Sequence, residues 1–168
     1  MTLAKLVLLF AGVVATGCSS SDSVWDSSVS KLVLAQGGGF EPPSQPTADC
    51  PHAGSEYTLL VANRMLSAWR CTPGPQSPYP LMKDSMSRTL TEAEFEALVP
   101  KLEALEVVNV DTCGADKPEV IVTLTKPSGA TEYADSFYSC NDNEPRPTLD
   151  TSTLDQVTGA LRQLSFMN

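Results

Sequence analysis

The apolar pattern of this 168-residue chain predicts an α+β fold. The expected form is a two-layer sandwich, an antiparallel sheet of about five strands with two helices on one face. Three observations predict it. Short β-rich runs occupy 29–35, 57–62 and 66–71. A further pair, 119–125 and 131–138, flanks a turn. Two segments, near 91–105 and 152–164, carry a single apolar stripe at helical spacing, and such a stripe is buried only against another layer. The resulting order is β-β-β-α-β-β-α.

The elements follow in chain order. Residues 19–28 are mostly Ser and Asp and read as a polar tether. The first strand, 29–35, stops at Gly37-Gly38-Gly39 and the prolines at 42, 43 and 46. That triplet is read as a turn or bulge, because no Lys-Ser/Thr follows it as in a phosphate-binding loop. Strands 57–62 and 66–71 flank Asn63-Arg64-Met65, a hairpin turn. Residues 72–87 carry four prolines and read as an irregular loop. Thr91 and Glu94 form a capping box, and Leu90 and Phe95 a hydrophobic staple. Phe95, Leu98, Val99, Leu102 and Leu105 continue the helix, which Pro100 would kink or divide. The pair 119–125 and 131–138 folds about Lys126–Ala130. Leu154, Val157, Leu161 and Leu164 stripe the last helix. One domain over 29–168 is expected.

The chain has 11 basic and 20 acidic residues, a formal net charge of -9. A nucleic-acid partner is excluded by the lack of clustered Lys and Arg. The same charge disfavours docking on anionic headgroups and allows attraction to a basic partner.

Residues 1–17 have the parts of an export signal: one positive charge, Lys5, then the uncharged run Leu6–Ala15, too short to span a bilayer. Ala15-Thr16-Gly17-Cys18 closes it. This stretch resembles the lipobox of bacterial lipoproteins, with Ala15 where that family most often has leucine. The resemblance covers about the first 20 residues. It implies lipidation of Cys18 (diacylglyceryl on the thiol, often a palmitate-type chain on the new amino group), removal of 1–17, and a cell-envelope location. Ser19, in place of the Asp that often marks inner-membrane retention, implies the outer membrane over the inner. The alternative is an ordinary secretory signal cut after Ala15 or Gly17. Loss of residues 1–17 would leave a charge near -10, since Lys5 is their only charged residue.

With Cys18 assigned to lipid, four cysteines remain, an even number that suggests two disulfides in an exported chain. Of three connectivities, Cys50–Cys71 and Cys113–Cys140 are preferred. The second pair rests on the hairpin, whose folding brings residues near 113 and 140 to one end. The first rests on nearness in sequence. Zinc is disfavoured, since no C-x-x-C pair exists and His52 is the only histidine.

No catalytic residue is expected. His52 is a lone loop histidine, and neither G-x-S-x-G nor H-E-x-x-H is present. Asp111, Asp116 and Glu119 around Cys113, with Asp142 and Glu144 after Cys140, form a weak calcium candidate. The competing reading is a solvated acidic loop. Trp69, with Tyr133 or Tyr138, offers an aromatic surface for a protein or glycan, against a competing reading as core. The function expected is therefore a non-catalytic protein-binding or interaction module, of which an enzyme inhibitor is one kind, without cofactor. The alternatives are a structural or assembly lipoprotein of the envelope and a carboxylate-dependent hydrolase.

Overall fold

The computed structural model describes residues 23–37, 44–76, 79–109, 114, 117–138 and 146–166. Among these, eight strands and two helices build an α+β fold. The strands are β1 (Lys31–Gly37), β2 (Gly54–Leu60), β3 (Met65–Pro73), β4 (Leu81–Thr89), β5 (Val107–Val108), β6 (Glu119–Lys126), β7 (Gly129–Asp135) and β8 (Thr148–Leu149). The helices are α1 (Glu92–Glu103) and α2 (Thr151–Phe166). The sheet runs β4-β3-β2-β1-β6-β7-β8-β5, antiparallel throughout except between β7 and β8.

The five strands read from the sequence are all present, but the expected sheet size and element order are corrected. The largest addition is β4, which replaces part of the irregular loop expected at 72–87. It is an edge strand, and beyond Leu81 most of its side chains are exposed, so it lacks an apolar alternation. Pro73 is the last residue of β3 and Pro80 directly precedes β4, positions where no ladder donor is needed. Strands β5 and β8 are two residues long and exist only through each other and β7.

Alternation sets the two faces of the sheet. Leu32 and Leu34, Tyr57 and Leu59, Leu66 and Ala68, and Val120, Val122 and Leu124 point to one side and are buried. Both helices cover that side. Leu98 and Leu102 of α1 join Leu154, Val157 and Leu161 of α2 in the same core. The capping box is formed, with Thr91 Oγ1 accepting from Glu94 N at 3.2 Å and Glu94 Oε2 accepting from Thr91 N at 2.9 Å. Helix α1 is not divided at Pro100. The carbonyl this proline leaves without a donor belongs to Glu96, and both residues are exposed, so water can serve it. No helix among the described residues is long and apolar enough to cross a membrane.

The segment read as a tether is shorter than expected. Val24 and Trp25 are buried in the main core, Val24 N donates to Leu105 O at 3.2 Å, and Asp26 pairs with Lys126 at 2.6 Å. The packed chain therefore begins by Ser23 rather than at 29. Serine and aspartate dominate the composition there, but Val24-Trp25 carries enough apolar surface to fix the segment.

Two carboxyls, the half-buried Glu94 and the exposed Asp26, have strongly depressed pKa values. Hydrogen bonds from Arg88, then from Thr91, hold Glu94 at about 2 against an ordinary 4.5. Hydrogen bonds from Lys126, then Ser28, hold Asp26 at about 2 against 3.8. Both groups bind fewer protons folded than unfolded in this range, so stability falls as pH falls. Their contribution is complete above about pH 4.5 and lost on approach to pH 2. Thermal melts from pH 6 to pH 2 are expected to show that decline, and Arg88→Met is expected to make it shallower.

Candidate functional site

On the sheet face opposite the helices, the described residues place no helix or second sheet, only the loop before β2 over the β3–β4 corner. This face carries a cleft of about 360 Å³ at the end where β1 stops and β2 begins. Register explains the hollow. Gly37 lies between Gly54 on one side and Glu119 on the other, and Ala35 occupies the next position along β1 on the same face. Two absent side chains and one methyl form the floor. At Gly54 a Cβ would stand 2.7 Å from the carbonyl oxygen of Gln36, so the close approach of β1 and β2 there requires glycine. At Gly37 a Cβ would meet nothing within 4 Å, so that position opens into the cleft.

The walls come from both flanks. Trp69 stands on β3 opposite Glu56 of β2, and Ile121 and Glu119 of β6 close the far side. Behind Trp69, Cys50 and Cys71 are bonded, with S–S 2.14 Å and Cα–Cα 5.7 Å. The bridge, Leu81, Ala53 and Trp69 pack as a second, smaller apolar cluster. This cluster raises one rim, and the exposed His52 stands on it. Lys83 Nζ lies 5.6 Å from the centre of the Trp69 ring. Glu56 and Glu119 form no ion pair with any described residue.

The other sequence candidates fall as follows. Tyr133 faces the helices and packs on the main core, so it does not join Trp69. Tyr138 ends a short 3-10 turn, Ser136–Tyr138. Cys18, Cys113, Cys140, Asp111, Asp116, Asp142 and Glu144 lie outside the described residues. Next to them, Gly114 N donates to Phe137 O at 2.9 Å, which ties the chain one residue after Cys113 to a point three residues before Cys140. Among the described residues no group of three or more His, Cys, Asp and Glu is arranged to hold a metal ion.

A buried polar knot sits beside these segments. The Asp135 side chain is fully buried and accepts from Lys117 Nζ at 2.9 Å, from Phe137 N at 3.0 Å and from Thr151 Oγ1. Lys117 also pairs with Asp155 at 2.9 Å. Burial is the largest single influence on Lys117 and opposes its charge. Hydrogen bonds to Asp155 and Asp135, with their charges, outweigh it and raise the ammonium above its ordinary 10.5. A lysine that bridges two carboxylates fixes β7 to the start of α2, a different geometry from two acids facing each other across a cleft.

The cleft residues missing from the sequence reading are Glu56 and, in this role, Glu119. Glu56 alternates with Tyr57 and Leu59 as the polar partner of a half-buried strand, which marks its face but not its neighbours. No protein-family model matches the chain, and no curated protein aligns with it significantly.

Proposed function

We propose that this protein is an envelope-anchored lipoprotein whose uncovered sheet face binds another protein without catalysing a reaction. The observation that carries the reading is the cleft, a preformed hollow on the helix-free face with a half-buried tryptophan at its edge. Hollows of this size with an aromatic wall and a few polar groups are how folded domains hold ligands. A half-exposed tryptophan beside a rigid bridge suits an interface anchor. The acidic chain favours a basic partner.

Lipidation of Cys18 would limit where that partner can be. Residues 19–22 separate Cys18 from Ser23, which is already fixed against Glu106. Five residue steps reach at most about 18 Å when fully extended. The domain would ride close to the bilayer, and its partner would be membrane-proximal. Ser19 favours the outer membrane by the lipoprotein resemblance.

One preparation tests both parts. The chain is extracted from membranes in mild detergent and its mass is read without reductant. Acyl chains on Cys18 and two disulfides, the second Cys113–Cys140, are expected; an unprocessed N-terminus removes the anchoring. The same material, immobilised, is expected to capture an envelope protein that Gly37→Phe releases. That variant fills the cleft from a position with open space above it, so the melting temperature should hold. Capture indifferent to Gly37→Phe would remove the cleft from the function.

A further inference from the structure

We infer that the cleft recognises a guanidinium group, an arginine side chain presented by an extended segment of the partner, laid against Trp69 between Glu56 and Glu119. The inference rests on the binding role above and names the chemistry of its ligand.

Three features carry it. The first is charge without a partner. Elsewhere on the sheet, Asp84 is taken up by Arg70, and Glu94 at the start of α1 by Arg88. Glu56 and Glu119 line the same hollow and pair with none. The second is spacing. The two acids stand on β2 and β6, with β1 between them. Glu56 is level with Ala35 and Glu119 with Gly37, so two inter-strand steps and a two-residue offset separate their backbones by about 12 Å, and the floor between is glycine and alanine. That gap accepts one planar, forked donor able to bond a carboxylate on each side, which a compact ammonium does less well. The third is the ring. Lys83, 5.6 Å from the Trp69 centroid, shows that a cation already rests on this indole from the β4 side. Arginine is the commoner partner of such faces, and it stacks as well as attracts.

A neutral sugar is the other ligand for an exposed tryptophan. Two unpaired carboxylates on either side of the floor favour the cation, because a charged guest offsets the repulsion between them.

The test is binding of a fluorescein-labelled, terminally blocked Gly-Gly-Arg-Gly-Arg-Gly peptide to the full chain, followed by anisotropy at low salt. The same peptide with citrulline in place of arginine is isosteric and uncharged. Saturable binding of the arginine peptide is expected, at least tenfold tighter than the citrulline peptide and weakening as NaCl rises. The double variant Glu56→Gln, Glu119→Gln keeps the side-chain shapes and is expected to weaken it at least tenfold, as is Trp69→Ala, with melting curves checking the fold. Equal binding of both peptides, no loss in the double variant, or saturable binding of chitotetraose in place of the arginine peptide would overturn the inference. Capture of an envelope protein that Gly37→Phe abolishes but the double Gln variant leaves intact would overturn the guanidinium while the binding role stands. Capture insensitive to Gly37→Phe would overturn both.

Discussion

Lys117→Met is expected to lower the unfolding free energy by about 3 kcal/mol, because it leaves the fully buried Asp135 carboxylate without its cation. For a chain of this length the melting temperature should fall by about 6–12 °C. The size follows from asymmetry: an intact buried pair adds little net stability, while half of one is costly. Thr151 and the Phe137 N–H would still donate to Asp135, and the Lys117 side chain is 22% exposed, which keeps the loss at the lower end of the usual range. Removing the second partner as well, in Lys117→Met with Asp135→Leu, should restore part of the loss, the remainder reflecting the acceptor that Thr151 and the Phe137 N–H lose. Asp155→Ala, which takes the exposed acid from Lys117, should cost less than about 1 kcal/mol. Denaturant titration of the three variants at constant redox state distinguishes this pattern from simple loss of packing. If the double variant were as unstable as Lys117→Met, the knot would be contributing through shape rather than charge.

The knot also illustrates what the sequence hides. Lys117, Asp135 and Asp155 stand at 18- and 20-residue intervals on three different segments, with no local pattern linking them. Local features were the legible ones. The capping box of Thr91 and Glu94 forms because both partners lie within one turn. The stripe of α2 reads directly as Leu154, Val157 and Leu161 in the core. Cys50–Cys71 followed from nearness along the chain. Strand β4 was lost because an edge strand needs only one apolar flank, here Met86 and the stem of Arg88.

Register was the other blind spot, and Tyr133 shows why. A turn spanning Lys126–Ala130 leaves that tyrosine free to face outward. The actual turn holds only Pro127 and Ser128, with Lys126 paired to Gly129, so Val122 faces Tyr133 and the ring joins the core. A change of one residue in the pairing moves every side chain of a strand to the opposite face. The cleft is the same lesson across three strands. Glu56, Gly37 and Glu119 are far apart in sequence, and only the registers of β2, β1 and β6 bring them to one hollow.

The second large effect is expected at the wall of that hollow. Replacing both Cys50 and Cys71 with alanine opens a loop whose ends are 21 residues apart. In the chain-entropy model this costs about 3 kcal/mol, since the unfolded chain regains the freedom the bridge denied it. Reduction of the unmodified protein should produce a larger loss, since it also opens the proposed Cys113–Cys140 bridge. The consequence for the cleft is separate from the loss of stability. Beyond the bridge, the loop that carries Cys50 is held to the start of β4 by Gln45 N to Tyr79 O at 3.0 Å, Leu81 N to Gln45 O at 2.8 Å and Thr47 Oγ1 to Leu81 O at 3.1 Å. Those bonds lie before Cys50 and β2 takes up the chain again at Gly54, so between them the bridge is the covalent tie that holds residues 50–53 behind Trp69. Its loss should expose the indole and shift its emission to longer wavelength at temperatures where the main core is still folded. Trp25, buried in that core, supplies an unshifted internal reference. A red shift that appeared only with global unfolding would mean that the wall stands without its bridge, and that the disulfide serves the unfolded state alone.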